Sequence, residues 1–169
     1  GIAVALQPLL GYNYGAGRID RVRKTLWLGI AAATGFGVVE WAAIMLAPEA
    51  IVAAFSITHP GLVEITVFAL RVQFVMLPFV GFQIVGSNYF QATGQPAKSI
   101  FLTLTRQILF LVPLLLVLPG VLPRIAPGLT GLDALYFAAP ISDFLAIFTV
   151  AVFIAWEMRR LRRMEAAEA

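Results

Sequence analysis

The sequence predicts an all-α polytopic membrane protein, a bundle of about four full spans preceded by a partial one. Three observations carry this. Of 169 residues, 60% are hydrophobic and only 12% charged, where a soluble domain uses roughly a quarter charged residues to wet its surface. Four apolar runs each reach the roughly 20 residues that a bilayer crossing requires. The loops between them alternate in positive charge. Backbone polar groups in lipid must be satisfied inside the segment, so such runs are helices or barrel strands. They are continuous rather than alternating, which argues against a barrel.

Taken in order, residues 1–14 read as the last part of a span, and full spans are expected at about 25–56, 64–92, 98–122 and 133–157. The first full run is longer than needed, so its end beyond Pro48 is expected at the interface. The chain has no initiator Met or basic leader before its first apolar stretch, and this stretch is too short to cross. A piece of a longer membrane protein is therefore expected.

The connections support the count. RIDRVRK carries Arg18, Arg21, Arg23 and Lys24, whereas SITHPGLVE has no Lys or Arg. TGQPAK has Lys98, the long loop after it has Arg124 alone, and the tail 158–169 has Arg159, Arg160, Arg162 and Arg163. Charge thus alternates in, out, in, out, in, placing the C-terminus in the cytoplasm of a plasma (inner) membrane. The +3 net charge belongs to this pattern, and nucleic acid is not an expected partner. The final EAAEA reads as a frayed helical end.

Catalytic and metal chemistry find no support. With no cysteine there are no disulfides, thiolate metal sites or thiol nucleophiles. His59, the sole histidine, has no ligand-spaced companion and reads as a loop residue. No G-x-S-x-G, H-E-x-x-H or P-loop pattern occurs. GYNYGAG lacks the strand and lysine of a phosphate loop and reads as a tight helix exit. No cofactor is expected, and the chain is not expected to be an enzyme.

The informative residues are polar ones inside the spans. Gln83, Ser87 and Gln91 recur every fourth position and form one helical stripe, with Asn88 on its flank. Gln73 projects near the same face unless a bend at Pro78 rotates it away. Unpartnered polar groups are costly in lipid, so the stripe should face protein or a water-filled cavity. Interhelical hydrogen bonding, worth ~0.6 kcal/mol per contact, is the simpler alternative. Pro48, Pro78, Pro113 and Pro140 mark the spans, as kinks that frame cavities or as ordinary packing variation.

Four charges lie deep: Glu40, Arg71, Arg106 and Asp143. At 1.5 Å per residue, Glu40 and Asp143 stand about 22 and 21 Å from the basic ends of their helices, near mid-bilayer. Isolated charges there are expensive, so pairing is expected. Glu40–Arg71 and Arg106–Asp143 are the simplest pairs. They read either as a cation or proton relay, or a substrate counter-ion, or as ion pairs that set helix register.

QPLLGYNYGAGRIDRVRK, FQATGQPAKS, LTRQILFLVPLLLVLP and GLTGLDALYFAAPISDF, in this order and spacing, closely resemble the C-terminal half of the multidrug and toxic-compound extrusion (MATE) family. The resemblance covers essentially the whole chain. It implies a twelve-helix protein in two pseudo-symmetric lobes, of which this chain would hold the end of the eighth helix and helices nine to twelve. It implies export of cationic, amphipathic drugs against Na⁺ or H⁺ by alternating access, with membrane lipids and a missing N-terminal lobe as partners. Gln83, Ser87, Asn88 and Gln91 would then border the substrate cavity on the tenth helix, where neutral amides and aromatics suit varied cations. Some branches place a cation-binding carboxylate on that helix, and LPFVGFQIVGSNYF has none, so the coupling acid would lie elsewhere. The weaker readings are a lipid-linked precursor flippase of the same superfamily, which calls for a strongly cationic cavity, a membrane-embedded enzyme, and a structural subunit.

Overall fold

A computed structural model describes residues 1–56 and 59–168, with side chains through Glu165. Helices are the one kind of regular secondary structure among the described residues. α1 (Ile2–Gly15) leads by a short turn to α2 (Ile19–Leu46). A short α3 (Pro48–Ala54) follows, and α4 (Pro60–Gln73) and α5 (Leu77–Ala92) form a pair bent by 47°. The next crossing comprises α6 (Pro96–Leu104), a π-helical segment (Thr105–Leu111) and α7 (Val112–Ile125), and α8 (Gly131–Glu168) closes the chain. Three continuous helices are long and apolar enough to cross a membrane, or four crossings if the bent pair is one. The SITHPGLVE loop is described only in part, because Ile57 and Thr58 lie outside the described residues, as does Ala169.

Helix ends follow the local chemistry. α1 stops because Gly17 takes φ +68°, with Arg18 N–H donating to Asn13 O at 2.9 Å and Gly17 N–H to Tyr14 O at 3.1 Å. This is the paired C-terminal cap that a left-handed glycine permits. The end of α5 repeats it, with Gly94 at φ +74° and Gln95 N–H donating to Phe90 O at 2.8 Å. The two turns at the basic end of the bundle are therefore built alike. At the other end, the Thr130 hydroxyl accepts from Asp133 N–H, while Asp133 accepts from Thr130 N–H at 2.8 Å. That reciprocal box satisfies two orphan donors at the start of α8.

The prolines divide into two kinds. Pro48 and Pro78 start α3 and α5, where their missing N–H costs nothing, so neither kinks a continuing helix. Accordingly α2 ends at Leu46, and the stretch to 56 expected within its span is the separate α3. Pro140 lies inside α8. Pro113 lies just past the π segment, with Val112 between. Its ring would crowd the carbonyl four residues back in α geometry, and a widened turn before it makes the room.

The core gathers at the basic end. Leu10, Val22, Leu26, Val85, Phe90, Leu102, Val150 and Leu161 interlock there, from α1, α2, α5, α6 and α8. α4 and α7, toward the opposite end, bury no residue fully. α2 and α5 approach closely because Gly81 leaves no side chain against the backbone of Ala33, where an added Cβ would lie 2.7 Å from the carbonyl carbon. Small residues at crossings let membrane helices meet backbone to backbone.

Candidate functional site

α5 carries the polar stripe inward. Gln83 and Ser87 are buried, Asn88 is half-buried, and Gln91, in the last turn, is exposed. The first three line a cavity of about 190 Å³ with Thr103, Arg106 and Gln107 of the α6–π crossing, and Gln91 is not among its lining residues. Asn88 also holds an interhelical bond, accepting from Gln7 Nε2 of α1 at 2.7 Å while donating to Ile84 O. Cavity lining and helix bridging, opposed as alternatives in the sequence, thus share one residue. Gln83 Oε1 is buried without a hydrogen-bond partner among the described residues.

Arg106 is the hub. Its Nε donates to Asp143 Oδ1 at 2.6 Å, joining the π segment to α8. Wide-turn geometry displaces backbone groups from the i→i−4 ladder. The Arg106 carbonyl also accepts from the Ser142 hydroxyl at 2.9 Å. Successive residues of α8, Ser142 and Asp143, therefore hold the backbone and side chain of the same arginine. The pair stands between two cavities. On its other side Gln73, Leu77, Arg106 and Asp143 border about 220 Å³. The 47° bend between α4 and α5 accounts for Gln73 lying on this second cavity rather than beside Gln83.

The Glu40–Arg71 pair does not form. Arg71 lies 3.8 Å from Glu49, both side chains largely exposed. The cause is the break at Ala47: Pro48 opens a new helix that packs on α4 and puts Glu49 beside Arg71. Glu40 instead borders an apolar cavity of about 520 Å³ between α2 and α5, with Gly37, Leu77 and Gly81.

A second polar cluster escaped the sequence reading. Glu157 of α8 is fully buried, accepts from Gln95 Nε2 at 3.2 Å and from Arg160 at 3.3 Å, and lies 3.7 Å from Lys98 Nζ. Lys98 also rests over the Trp156 ring, 4.4 Å from its centroid. The visible signal was the i,i+3 spacing of Glu157 and Arg160, but it straddles the boundary between the expected span 133–157 and the tail and was assigned no role. Gln7 was likewise hidden in a stretch treated only as a partial span. No three His, Cys, Asp or Glu side chains among the described residues cluster as a metal site.

Comparison with known proteins fits this geometry. An inward-facing multidrug resistance MATE family transporter of the MOP superfamily superposes with TM-score 0.80 at 21% identity, over 99% of this chain and 36% of its own. An outward-facing multidrug resistance MATE family transporter gives TM-score 0.77 at 21% identity, over 97% and 34%. A chain described only as protein A gives TM-score 0.82 at 34% identity, over 94% and 33%. The present chain thus spans about a third of the length of the solved structures it matches. No curated protein matches it. The MatE family model matches residues 1–117, from α1 through the polar stripe and Arg106 into α7, and the chain belongs to the MatE family, a family of membrane transporters rather than enzymes.

Proposed function

We propose that this chain is the C-terminal lobe of a cation-coupled exporter of amphipathic, cationic compounds. The observation that carries the reading is the polar cavity of Gln83, Ser87, Asn88 and Arg106 inside an otherwise apolar helical lobe. A cavity of this kind within lipid-soluble walls gives a substrate polar contacts partway across the bilayer, as alternating access requires. The lobe matches inward- and outward-facing transporters about equally well. This supports motion in which a lobe turns largely as a unit.

In this reading Gln83, Ser87 and Asn88 offer adaptable hydrogen bonds to varied substrates. Asp143, held by Arg106, is an element of coupling to Na⁺ or H⁺ or a brace for the cavity wall. The protein sits in the plasma membrane with its basic end and C-terminus in the cytoplasm, and the remaining lobe completes the cleft. The test uses the full-length gene in a drug-sensitive bacterial host, following ethidium efflux under imposed Na⁺ and H⁺ gradients. Gradient-driven efflux that disappears in Asp143→Asn at unchanged protein level supports export and coupling through this acid. Efflux retained in that variant assigns coupling to the other lobe, and absence of efflux for every cation tried defeats the exporter reading.

One observation favours the flippase reading. Arg106, the sole charged side chain lining the 190 Å³ cavity among the described residues, gives only its Nε to Asp143, and its terminal nitrogens suit a phosphate better than an ammonium. Transport of a lipid pyrophosphate by the full-length protein in vesicles, with no ethidium efflux, would select it.

A further inference from the structure

We propose that the groove between α2 and α8 at the basic end is a binding site for one anionic phospholipid. The groove encloses about 390 Å³ and has two chemically distinct parts. At its mouth stand Arg23 of α2 and Arg159 and Arg162 of α8. Its wall toward mid-membrane is Phe82, Ala151 and Ala155, with Trp27 beside it. Among the described residues, the lining holds three guanidiniums and no carboxylate. Two arginines on one helix, at i and i+3, share a face, and the third comes from a different helix. A phosphate between them would receive donors from both sides.

Arg23 is already set in place. Its guanidinium donates to both carboxylate oxygens of Glu165, at 3.0 and 3.4 Å. That pair ties the start of α2 to the end of α8. It cancels one charge, so the mouth keeps the charge of two arginines. The small side chains of Ala151 and Ala155 leave a channel that an acyl chain fills, one turn below the headgroup. Trp27, half-exposed and one turn from Arg23, lies at the level where aromatic rings mark the membrane interface. A free phosphate or nucleotide would use the mouth and leave the apolar channel empty. A phospholipid uses both, and basic pockets between spans on the cytoplasmic side suit anionic headgroups.

The site lies on the opposite side of α5 from the polar cavity and does not depend on what the transporter carries. It depends only on the basic end being cytoplasmic. The test is native mass spectrometry of the purified full-length protein in detergent, titrated with dioleoyl phosphatidylglycerol or dioleoyl phosphatidylethanolamine. Wild type should retain the anionic lipid preferentially. Arg159→Gln with Arg162→Gln should weaken that retention about 30-fold, the factor for two arginines at an anionic surface. Arg21→Gln with Arg163→Gln removes equal charge from the same end but outside the groove, and should change retention little. Ala155→Trp, which fills the channel without touching charge, should also lower it. Equal loss in the two double variants, equal retention of both lipids by wild type, or full retention in Ala155→Trp would each overturn the proposal.

Discussion

Two carboxylates on α8 show how burial decides what an acid does. Asp143 meets a partly exposed arginine between two cavities, while Glu157 is sealed among Gln95, Lys98 and Arg160. Glu157 accepts two hydrogen bonds, from Gln95 and Arg160, each worth ~1.5–3 kcal/mol, against the one that Asp143 accepts from Arg106. Glu157→Ala should therefore lower the melting temperature of the full-length protein more than Asp143→Asn, read by size-exclusion recovery after heating. If Asp143→Asn proves the more damaging, the burial argument fails. Arg106 and Asp143 were legible as a pair because lone charges deep in a span need partners. Glu157 was not, since a sequence does not show that the chain folds a lysine and a glutamine over it.

Among the elements, two glycines separate backbone strain from steric crowding. Gly94 has open space around it but a left-handed φ of +74°, so Gly94→Ala should cost ~1–2 kcal/mol through conformation alone. Gly81 has an ordinary helical backbone but faces the Ala33 backbone. Gly81→Val should cost ~1–3 kcal/mol by overpacking and should push α2 from α5. Disulfide crosslinking yield between cysteines introduced on those helices would fall for Gly81→Val and hold for Gly94→Ala. Most helices were legible from run length and loop charge, and the helix exit at GYNYGAG from its glycines. Two features were not. The break at Ala47 follows from Pro48 starting a helix rather than bending one, and composition alone does not distinguish those uses. The π segment leaves no periodic signature over seven residues, and the polar stripe therefore gave its own face but not its partners Thr103 and Gln107.

For the whole molecule, the division between a packed basic end and thinly buried α4 and α7 sets what the lobe does alone. Large apolar side chains such as Leu116, Ile125 and Phe148 remain exposed, and lipid or other protein must cover them. Expressed by itself, the chain should insert but turn over quickly and confer no drug resistance. On the exporter reading, co-expression with the complementary lobe as a separate polypeptide should restore lifetime and give efflux, measured by pulse-chase and ethidium accumulation. The fold at this scale was legible because lipid allows so few solutions. The pairing of Arg71 was not, because it depended on one local break. The π segment carries a last consequence, in terms of chain length. A wide turn amounts to one residue more than an α-helix needs for the same path. Removing Leu109 should let the segment close toward α geometry, with a bend where the Pro113 ring meets the carbonyl four residues back, and the span should still cross the membrane. Arg106 would shift relative to α8, loosening the bonds that Ser142 and Asp143 make with it. The extra residue is thus an insertion that the lobe keeps in order to hold α8, and a shortened gene would retain the bundle while loosening its grip on Arg106.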